Sequence, residues 1–545
     1  MPQTNPHDTY TSPLASRNAS PEMCKIWSPR HKFTTWRKIW LAVAQAQQAC
    51  GLKITDQQIN EMKAALNVTD EDMDNAAKYE RDLRHDVMAH VHAFADRCPS
   101  AKGIIHLGCT SQDIVCNADL ICIYSATNLL ELKIERLLIS LGEFAEKWRA
   151  TPALGFTHYQ PAQPTTVGRR ACGWVADLEQ VDELLLYPRD LLRGFKGATG
   201  TQASFLSLFA GDQSKVDEFE ARAVIAIREE LDGEEWDFSD EGLEAKRART
   251  IDRYIKNPPM NDRQIFLLNL AQNASIAELR KDYVELALGA KVFPICGQTY
   301  SRGLDARVLS RLASFAAVLH KIATDIRLLS NRKELDEPFG KNQIGSSAMP
   351  YKRNPMKCER ICGLTRFVMN LVGNAYDTAA TQWLERTLDD SSNRRLSLPE
   401  SFLALDGALD LMHTVASGLV VNEAMVRKNL MLELPFMATE NILMEAVKAG
   451  GDRQDLHEKI RVHAQAAGHR VKQEGLDNDL IERLKSDPAF NTIHHMLTED
   501  QILNPMNFIG RSVEQTERFL KEVVEPLKDR YAEELKNLGT PDRGV

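Results

Sequence analysis

The residues best suited to chemistry lie between Gly345 and Pro355, in the sequence Gly-Ser-Ser-Ala-Met-Pro-Tyr-Lys-Arg-Asn-Pro. Its small residues and two prolines disfavour a regular helix, so we expect a loop, called the signature loop below. The loop combines the hydroxyl of Ser346 with the cation of Lys352 and the amide of Asn354. These groups can form and stabilise an anion, which indicates a catalytic loop. A solvated surface loop would use the same residue types.

Length and composition limit the classes of protein to which the chain could belong. The chain has 545 residues, more than one hydrophobic core usually holds, so we expect several domains or one elongated bundle. A net charge of -9 without a basic block argues against a nucleic-acid partner. No apolar run approaches the roughly 20 residues of a membrane span, and the N-terminus is polar. We therefore expect a cytoplasmic protein that does not bind membranes.

Cysteine and histidine spacing does not predict a metal site. The ten cysteines include no Cys-x-x-Cys pair, which favours reduced thiols over disulfides or zinc ligands. The segment from Arg84 to His92 is expected to be helical, and His90 and His92 would then lie about 200° apart around the helix. The two imidazoles could not share one metal ion.

Three apolar stripes at helical spacing predict a bundle of long helices. Strand signals are nearly absent, so we predict an all-α fold. The stripes are Ile123, Ala126, Leu130, Ile134, Leu137, Leu141, Phe144 and Trp148; Val308, Leu312, Phe315, Leu319, Ile322, Ile326 and Leu329; and Phe402, Leu405, Leu409 and Met412.

Two further segments could bind or protonate a substrate. Thr110 and Asp113 have the spacing of a capping box, and free N–H groups at that helix start, with the hydroxyl of Ser111, could bind a carboxylate. His158 lies among prolines and a glycine, which predict a loop leading into a helix. A histidine, with a usual pKa of about 6.5, is suited to protonating a leaving group.

The signature loop resembles that of the fumarase/aspartase superfamily, and its Ala-Met-Pro-Tyr-Lys-Arg-Asn-Pro is most similar to adenylosuccinate lyases. The resemblance extends to Leu434-Pro435-Phe436-Met437-Ala438-Thr439-Glu440-Asn441 and covers nearly the whole chain. It implies a three-domain all-α fold with a central bundle that assembles into a homotetramer. The implied domains are an N-terminal helical domain at 1–110, the long-helix domain at 111–421 and a C-terminal helical domain at 422–545.

One segment departs from the resemblance. From about 225 to 288 the chain has an additional stretch that begins strongly acidic and contains Pro258-Pro259. We interpret it as an insertion without a catalytic group. Joining residues near Ala221 to residues near Ala290 is expected to leave an active enzyme.

The resemblance also implies residue roles. His158 is the general acid, Ser346 the general base, and Glu359 the carboxylate that orients His158, with no metal or organic cofactor. Arg17 contacts the substrate phosphate, whereas Asn18 replaces the tyrosine usual in the family. His106 lies near the substrate carboxylate. The implied substrate-binding residues are Arg17, Asn18, Arg84, His85, Asp86, Thr110, Ser111, Gln298, Lys352, Asn354, Arg360, Arg386, Ser391 and Arg395.

The implied reaction is the elimination of fumarate from adenylosuccinate to give AMP, and from the succinyl-carboxamide ribotide SAICAR to give AICAR, in purine biosynthesis. We expect sites shared between subunits, because helices of thirty residues are about 45 Å long and separate motifs at their opposite ends. Two alternatives remain: another lyase of the superfamily, such as an argininosuccinate lyase, and a non-catalytic, crystallin-like structural protein with this fold.

Overall fold

The computed structural model describes residues 8–182, 191–232, 292–498 and 504–539, and the single residues 248, 251, 272, 275 and 501. The chain divides into two compact units. Unit 1 contains residues 1–129, 186–310 and 371–403, and unit 2 contains residues 130–185, 311–370 and 404–545. The three-domain division expected from the sequence stays a prediction. Elements are numbered below along the described residues.

The N-terminal part of unit 1 is built from capped helices of 6 to 21 residues. Ser20 and Ser28 accept hydrogen bonds from the first turns of α1 and α2, each of which has proline at its start. The sequence from Ser12 to Met23 indicates an irregular segment, but it contains a π-helical turn at Leu14–Asn18 and the first half of α1. The helices are α1 (Pro21–Ile26), α2 (Pro29–Ala49), α3 (Asp56–Ala64), α4 (Asp70–Leu83) and α5 (Asp86–Arg97).

The predicted long helices are confirmed. They are α6 (Ser111–Lys147), α10 (Gly303–Asn331) and α12 (Asp390–Gly418), and a further long helix without a predicted stripe is α11 (Met356–Ala380). Every residue of the three apolar stripes is buried except Trp148, which is half-buried. Uninterrupted spacing by three and four residues therefore identified the buried faces correctly.

A β-hairpin precedes α7 (Val167–Asp182), where the sequence predicted only a loop. Strands β1 (Pro152–Thr157) and β2 (Gln160–Thr166) pair antiparallel, and Leu154 of β1 packs in a small apolar core with Leu430 and Leu434. The two prolines of β2 are tolerated because a two-stranded ribbon consists of edge strands. Elsewhere in the described residues the strands are short, with β3 (Leu335–Asp336) pairing with β4 (Val420–Val421).

The helix before the predicted insertion extends beyond the expected boundary. Helix α8 (Ala203–Leu208) is followed by α9 (Gln213–Asp232), which packs on α2 and buries Val224 and Ile227 in the core of unit 1. Most of the predicted insertion lies outside the described residues. A deletion that keeps this core should therefore begin after Asp232.

Helices of 6 to 22 residues complete unit 2. None of the helices in the described ranges is both long and apolar enough to cross a membrane. The remaining α-helices are α13 (Glu423–Met437), α14 (Thr439–Lys448), α15 (Arg453–Glu474), α16 (Leu480–Ser486), α17 (Ser512–Phe519), α18 (Glu525–Arg530) and α19 (Ala532–Asn537).

Candidate active site

Unit 1 contains a break between two helices that presents three predicted site residues. The expectation that Arg84 to His92 is one helical stretch is wrong, because Arg84 adopts a left-handed conformation (φ 54°) that ends α4. His85 then caps α5, its Nδ1 accepting a hydrogen bond from the Met88 N–H at 3.4 Å. His85 and Arg84 are exposed at this corner.

The corner residues contact two other predicted site segments. Asp86 accepts a hydrogen bond from Arg395 Nη2 at 2.7 Å. Burial alone would raise the pKa of the Asp86 carboxyl, but the hydrogen bonds and charge of Arg395 dominate and the pKa is lowered. The imidazole Nε2 of His85 lies 3.5 Å from the hydroxyl of Ser111. The structure therefore brings Asp86, His85, Ser111 and Arg395 together.

The helix start at Thr110 is only partly available for a ligand. The Thr110 N–H donates to Asp113 Oδ2 at 2.7 Å, as the predicted capping box requires, so this N–H is not free to bind a substrate. The prediction of free backbone donors is wrong for this position. The hydroxyls of Thr110 and Ser111 are half-exposed and remain candidate ligand contacts.

A second contact links Gln298 with the segment Glu385–Arg395, called the arginine-rich turn below. Arg386 Nη1 donates to Gln298 Oε1 at 2.9 Å, and Arg386 Nη2 lies 3.6 Å from Asp390 Oδ1. Asp390 in turn forms an ion pair with Arg302 at 2.7 Å, and both side chains are almost completely buried. Asp390 begins α12 and directly precedes Ser391, so this buried pair anchors the turn that carries the predicted substrate-binding residues Arg386 and Ser391.

The buried residues that support these contacts were not predicted from the sequence. Arg394 donates to Asp305 at 2.5 Å and to Asp119 at 2.8 Å, while Tyr300 donates to Asp305 at 2.7 Å. Burial lowers the pKa of Arg394, but its carboxylate partners raise it by more, so the guanidinium stays charged. Arg394 is adjacent to Arg395 in the sequence, and that adjacency was the available signal.

Arg394 and Asp119 belong to the lining of a cavity of about 260 Å³ in unit 1. Its wall carries Lys32, Asp119, Arg386, Ser391 and Arg395, together with apolar side chains such as Leu398. Burial lowers the pKa of the Lys32 ammonium, which lies 5.0 Å from the ring centre of Trp36. The cavity lining therefore combines apolar side chains with several cations. This combination is suited to a ligand with an anionic group attached to a flat ring.

His106 is held in the aromatic core of unit 1. Its Nδ1 accepts a hydrogen bond from Trp40 Nε1 at 3.0 Å, and burial lowers its pKa to about 4. Since Nδ1 is an acceptor, the ring is neutral with its proton on Nε2. That His106 lies near a substrate carboxylate stays a prediction.

The N-terminal candidates lie in the π-helical turn. Arg17 is exposed, while Asn18 Nδ2 donates to the Pro13 carbonyl at 2.7 Å and so closes the turn. Substrate contacts by these two side chains stay predictions.

In unit 2 the signature loop contains no regular helix or strand, as predicted. Asn354 Nδ2 donates to the Gly345 carbonyl at 2.9 Å, which joins the two ends of the loop. The Met349 N–H donates to Ser346 Oγ at 3.2 Å, and the Lys352 side chain is exposed. A Cβ at Gly345 would lie 2.1 Å from the Lys352 carbonyl oxygen, so only glycine allows this approach.

A buried carboxylate anchors the loop at the start of α11. Glu337 accepts hydrogen bonds from the N–H groups of Lys357 and Cys358 at 2.9 and 3.1 Å. Burial raises the pKa of Glu337, although these donors act in the opposite direction. The exposed Glu359 lies 3.9 Å from Arg327, and Arg360 is half-buried on the same helix. The role of Glu359 in orienting His158 stays a prediction.

His158 lies at the tip of the β-hairpin. His158 and Tyr159 both have positive φ, 53° and 56°, as a two-residue hairpin turn requires. The imidazole is exposed and makes no hydrogen bond to any residue that the structure describes in this unit. Nor do the described residues contain a group of three or more His, Cys, Asp or Glu side chains arranged for a metal ion.

Comparison with solved structures identifies the fold. The chain superposes on the 3-carboxy-cis,cis-muconate lactonizing enzyme from Pseudomonas putida with a TM-score of 0.70 and 22% identity, covering 94% of this chain and 99% of that one. The fumarate lyase from Mesorhizobium sp. BNC1 gives a TM-score of 0.68 and 20% identity over 94% of this chain and 99% of its own. The model of the lyase family matches residues 15–207 and 274–370. The fold and this match define a protein of the fumarase/aspartase superfamily.

Sequence relatives narrow the class. A second family model, adenylosuccinate lyase C-terminus, matches residues 435–519. The adenylosuccinate lyase of Schizosaccharomyces pombe is 43% identical over 98% of this chain and 99% of its own, and that of Saccharomyces cerevisiae is 44% identical over 95% of each. The archaeal adenylosuccinate lyase of Pyrococcus horikoshii is 30% identical over 97% of this chain and 99% of its own. The chain belongs to the adenylosuccinate lyase family.

Proposed function

We propose that this chain eliminates fumarate from adenylosuccinate to give AMP, and from SAICAR to give AICAR, as an enzyme of purine biosynthesis. The observation that carries the proposal is the cation-lined cavity of unit 1, in a chain similar to adenylosuccinate lyases over nearly its full length. Both substrates carry a phosphate and a succinyl group. A guanidinium can bind phosphate through two parallel hydrogen bonds, and Arg386 and Arg395 would serve this purpose beside Ser391.

The elimination begins at the carbon next to a succinyl carboxylate. Ser346 would remove the proton from this carbon, and the electrons would form an enediolate on the carboxylate. The Met349 N–H already donates to Ser346 Oγ, which would stabilise that oxygen as an alkoxide. The exposed cation of Lys352 would stabilise the dianionic enediolate, with the amide of Asn354 as a further donor. Loop closure that excludes water would strengthen both effects.

Cleavage of the carbon–nitrogen bond completes the reaction. His158 would donate a proton to the departing amine nitrogen, releasing fumarate. Its place on a two-residue turn, with the imidazole exposed, supports a role in reaching outward from its own unit. We further propose a homotetramer in which each site takes His158 and Ser346 from different subunits, because an exposed hairpin tip can enter a neighbouring subunit. A cytoplasmic location completes the proposal.

Neither alternative function, an argininosuccinate lyase or a non-catalytic structural protein, is favoured by the relatives or by the signature loop. The fungal and archaeal relatives are named adenylosuccinate lyases, not argininosuccinate lyases. The presence of His158, Ser346 and Lys352 argues against a purely structural protein, since a scaffold would not need a half-exposed serine hydroxyl beside an exposed cation.

A direct assay tests the proposal. The purified protein is incubated separately with adenylosuccinate, SAICAR and argininosuccinate, and fumarate is quantified for each. We expect fumarate from the first two substrates and none from the third. Turnover of argininosuccinate alone, or of no substrate by a folded protein, would reject the proposed function.

A further inference from the structure

The segment Leu192–Gly197, called the clasp below, ties the start of α6 to the segment that carries Gln298. Arg193 Nη1 donates to Asp113 Oδ1, and both side chains are completely buried. The same carboxylate oxygen accepts the N–H groups of Lys196 and Gly197 at 3.0 Å each. Since Asp113 Oδ2 accepts the Thr110 N–H, one carboxylate fixes both the clasp and the first turn of α6.

The other face of the clasp fixes the segment before Gln298. Arg193 Nη2 donates to the Gly297 carbonyl at 3.0 Å and to the Gly197 carbonyl at 2.9 Å. The Phe293 N–H donates to the Leu192 carbonyl at 3.0 Å, next to a parallel bridge between Leu192 and Val292. A single guanidinium therefore connects Asp113 with Gly297.

The position of Gly297 decides where Gln298 points. A Cβ at Gly297 would lie 2.6 Å from the Glu385 carbonyl oxygen, and the Gln298 N–H donates to that same oxygen at 3.1 Å. The Gln298 side chain then accepts from Arg386 at 2.9 Å. A shift of Gly297 would therefore move both Gln298 and the guanidinium of Arg386.

We propose that Arg193 is a positioning residue for the substrate site. It sets the distance between the α6 start, with Thr110 and Ser111, and the Gln298–Arg386 pair, so that both groups contact one substrate. This inference rests on the proposed function for its substrate. Arginine suits the task because its planar fork donates in fixed directions to a carboxylate and two carbonyls, whereas lysine offers one flexible ammonium.

The test compares Arg193→Met with a matched control, Arg37→Met. Arg37 is also a buried arginine of unit 1 that donates to an aspartate (Asp72, 3.1 Å) and to a backbone carbonyl (Ala65, 2.7 Å). Its guanidinium also lies over the ring of Phe94, and its contacts with the described residues include none of the predicted site residues. Both variants lose a buried ion pair, so both should lower Tm. Kinetics with adenylosuccinate are measured well below each Tm.

We expect Arg193→Met to raise KM for adenylosuccinate at least 10-fold, with a smaller change in kcat, and Arg37→Met to leave both constants within about twofold. The Tm of Arg193→Lys should lie between those of Arg193→Met and wild type, whereas its KM should stay close to that of Arg193→Met. Equal KM values in Arg193→Met and wild type, or an equal rise in Arg37→Met, would overturn the proposal. If Arg193→Met does not fold, Arg193→Lys decides: a raised KM supports the proposal and a wild-type KM overturns it.

Amide hydrogen exchange separates this inference from the proposed function, since it needs no turnover. Residues 293–300 and 110–116 should exchange faster in Arg193→Met or Arg193→Lys and at the wild-type rate in Arg37→Met. Unchanged exchange rates in both segments would overturn the proposal that Arg193 positions them. A wild-type protein without activity on adenylosuccinate would instead reject the proposed function, while the exchange result still decides whether Arg193 holds the two segments together.

Discussion

Arg395 Nη2 donates a hydrogen bond to Asp86 Oδ2 at 2.7 Å, joining residues 309 positions apart in the sequence. This contact places the start of α12 beside the corner between α4 and α5 within unit 1. It leaves the rest of the Arg395 guanidinium exposed, since about half of the side chain is accessible. Asp86 therefore orients a cation that can still bind an anion.

Replacing Arg395 tests its role toward the substrate phosphate. Arg395→Met should raise KM for adenylosuccinate by about 10- to 100-fold, because a hydrogen bond to a charged group contributes about 1.5–3 kcal/mol. Steady-state kinetics measure the effect. The control is Arg461→Met, which removes an exposed arginine paired with Glu458 on α15 and should change neither constant. An unaltered KM in Arg395→Met would remove this residue from the site.

Ser346→Ala tests the assignment of the general base. The variant should lose about 100- to 10,000-fold in kcat while binding substrate nearly as well as wild type, because the hydroxyl acts on the proton. Calorimetric titration with adenylosuccinate measures the binding. Ser347→Ala is the neighbouring control and should retain most of its kcat. The assignment fails if Ser346→Ala turns over at the wild-type rate.

The long helices were predictable because their pattern is local and repeated. In α6 the apolar stripe runs without interruption, and burial of Leu130, Ile134 and Leu137 follows directly from helical geometry. The hairpin around His158 was not predictable in this way. Its turn residues, His158 and Tyr159, are not the Asn-Gly or Asp-Gly pairs typical of such turns, and prolines in β2 argued against a strand.

The site was predictable as a set of residues but not as a set of contacts. The arginine-rich turn was identified by resemblance, yet the partners of Arg394 lie at Asp119 and Asp305, far away in the sequence. The end of α4 was missed because Arg84 carries the left-handed conformation without a glycine or proline to mark it. Such features depend on tertiary packing that the sequence pattern does not encode.

Gly345→Ala tests whether the shape of the signature loop is needed. The added methyl would meet the Lys352 carbonyl at 2.1 Å and displace the loop, so kcat should fall strongly while the helical circular dichroism stays unchanged. Gly173→Ala provides the control, because a Cβ there meets nothing within 4 Å. It should leave activity unchanged and raise stability by up to about 1 kcal/mol. Full activity in Gly345→Ala would show that the loop tolerates this displacement.

Acid should destabilise the protein through His90. Burial, followed by the charges of Arg37 and Lys32, lowers the pKa of His90 from 6.5 to about 4, and its ring stacks on Phe33 at 3.6 Å. The unfolded chain therefore binds a proton between pH 6.5 and about 4 that the folded chain does not, so stability falls as pH falls through this window.

The size of this effect is measurable by denaturant unfolding at several pH values. Between pH 6.5 and 4 the free energy of unfolding should decrease less in His90→Phe than in wild type, by up to about 3 kcal/mol. This difference does not depend on the stability of the variant at neutral pH. The control is Gly173→Ala, which changes no titratable group and should leave the slope as in wild type. A slope in His90→Phe equal to that of the wild type would contradict the assignment.

The central claim is that one catalytic site uses both His158 and Ser346, taken from different subunits, and mixing two inactive variants tests it most directly. His158→Ala and Ser346→Ala proteins are combined in equal amounts under conditions that allow subunit exchange, which mass spectrometry of the mixed oligomers verifies. At random exchange about a quarter of the sites would receive both native residues, so activity on adenylosuccinate should rise to about a quarter of the wild-type value. Verified exchange with activity no higher than that of the separate variants would contradict the shared site.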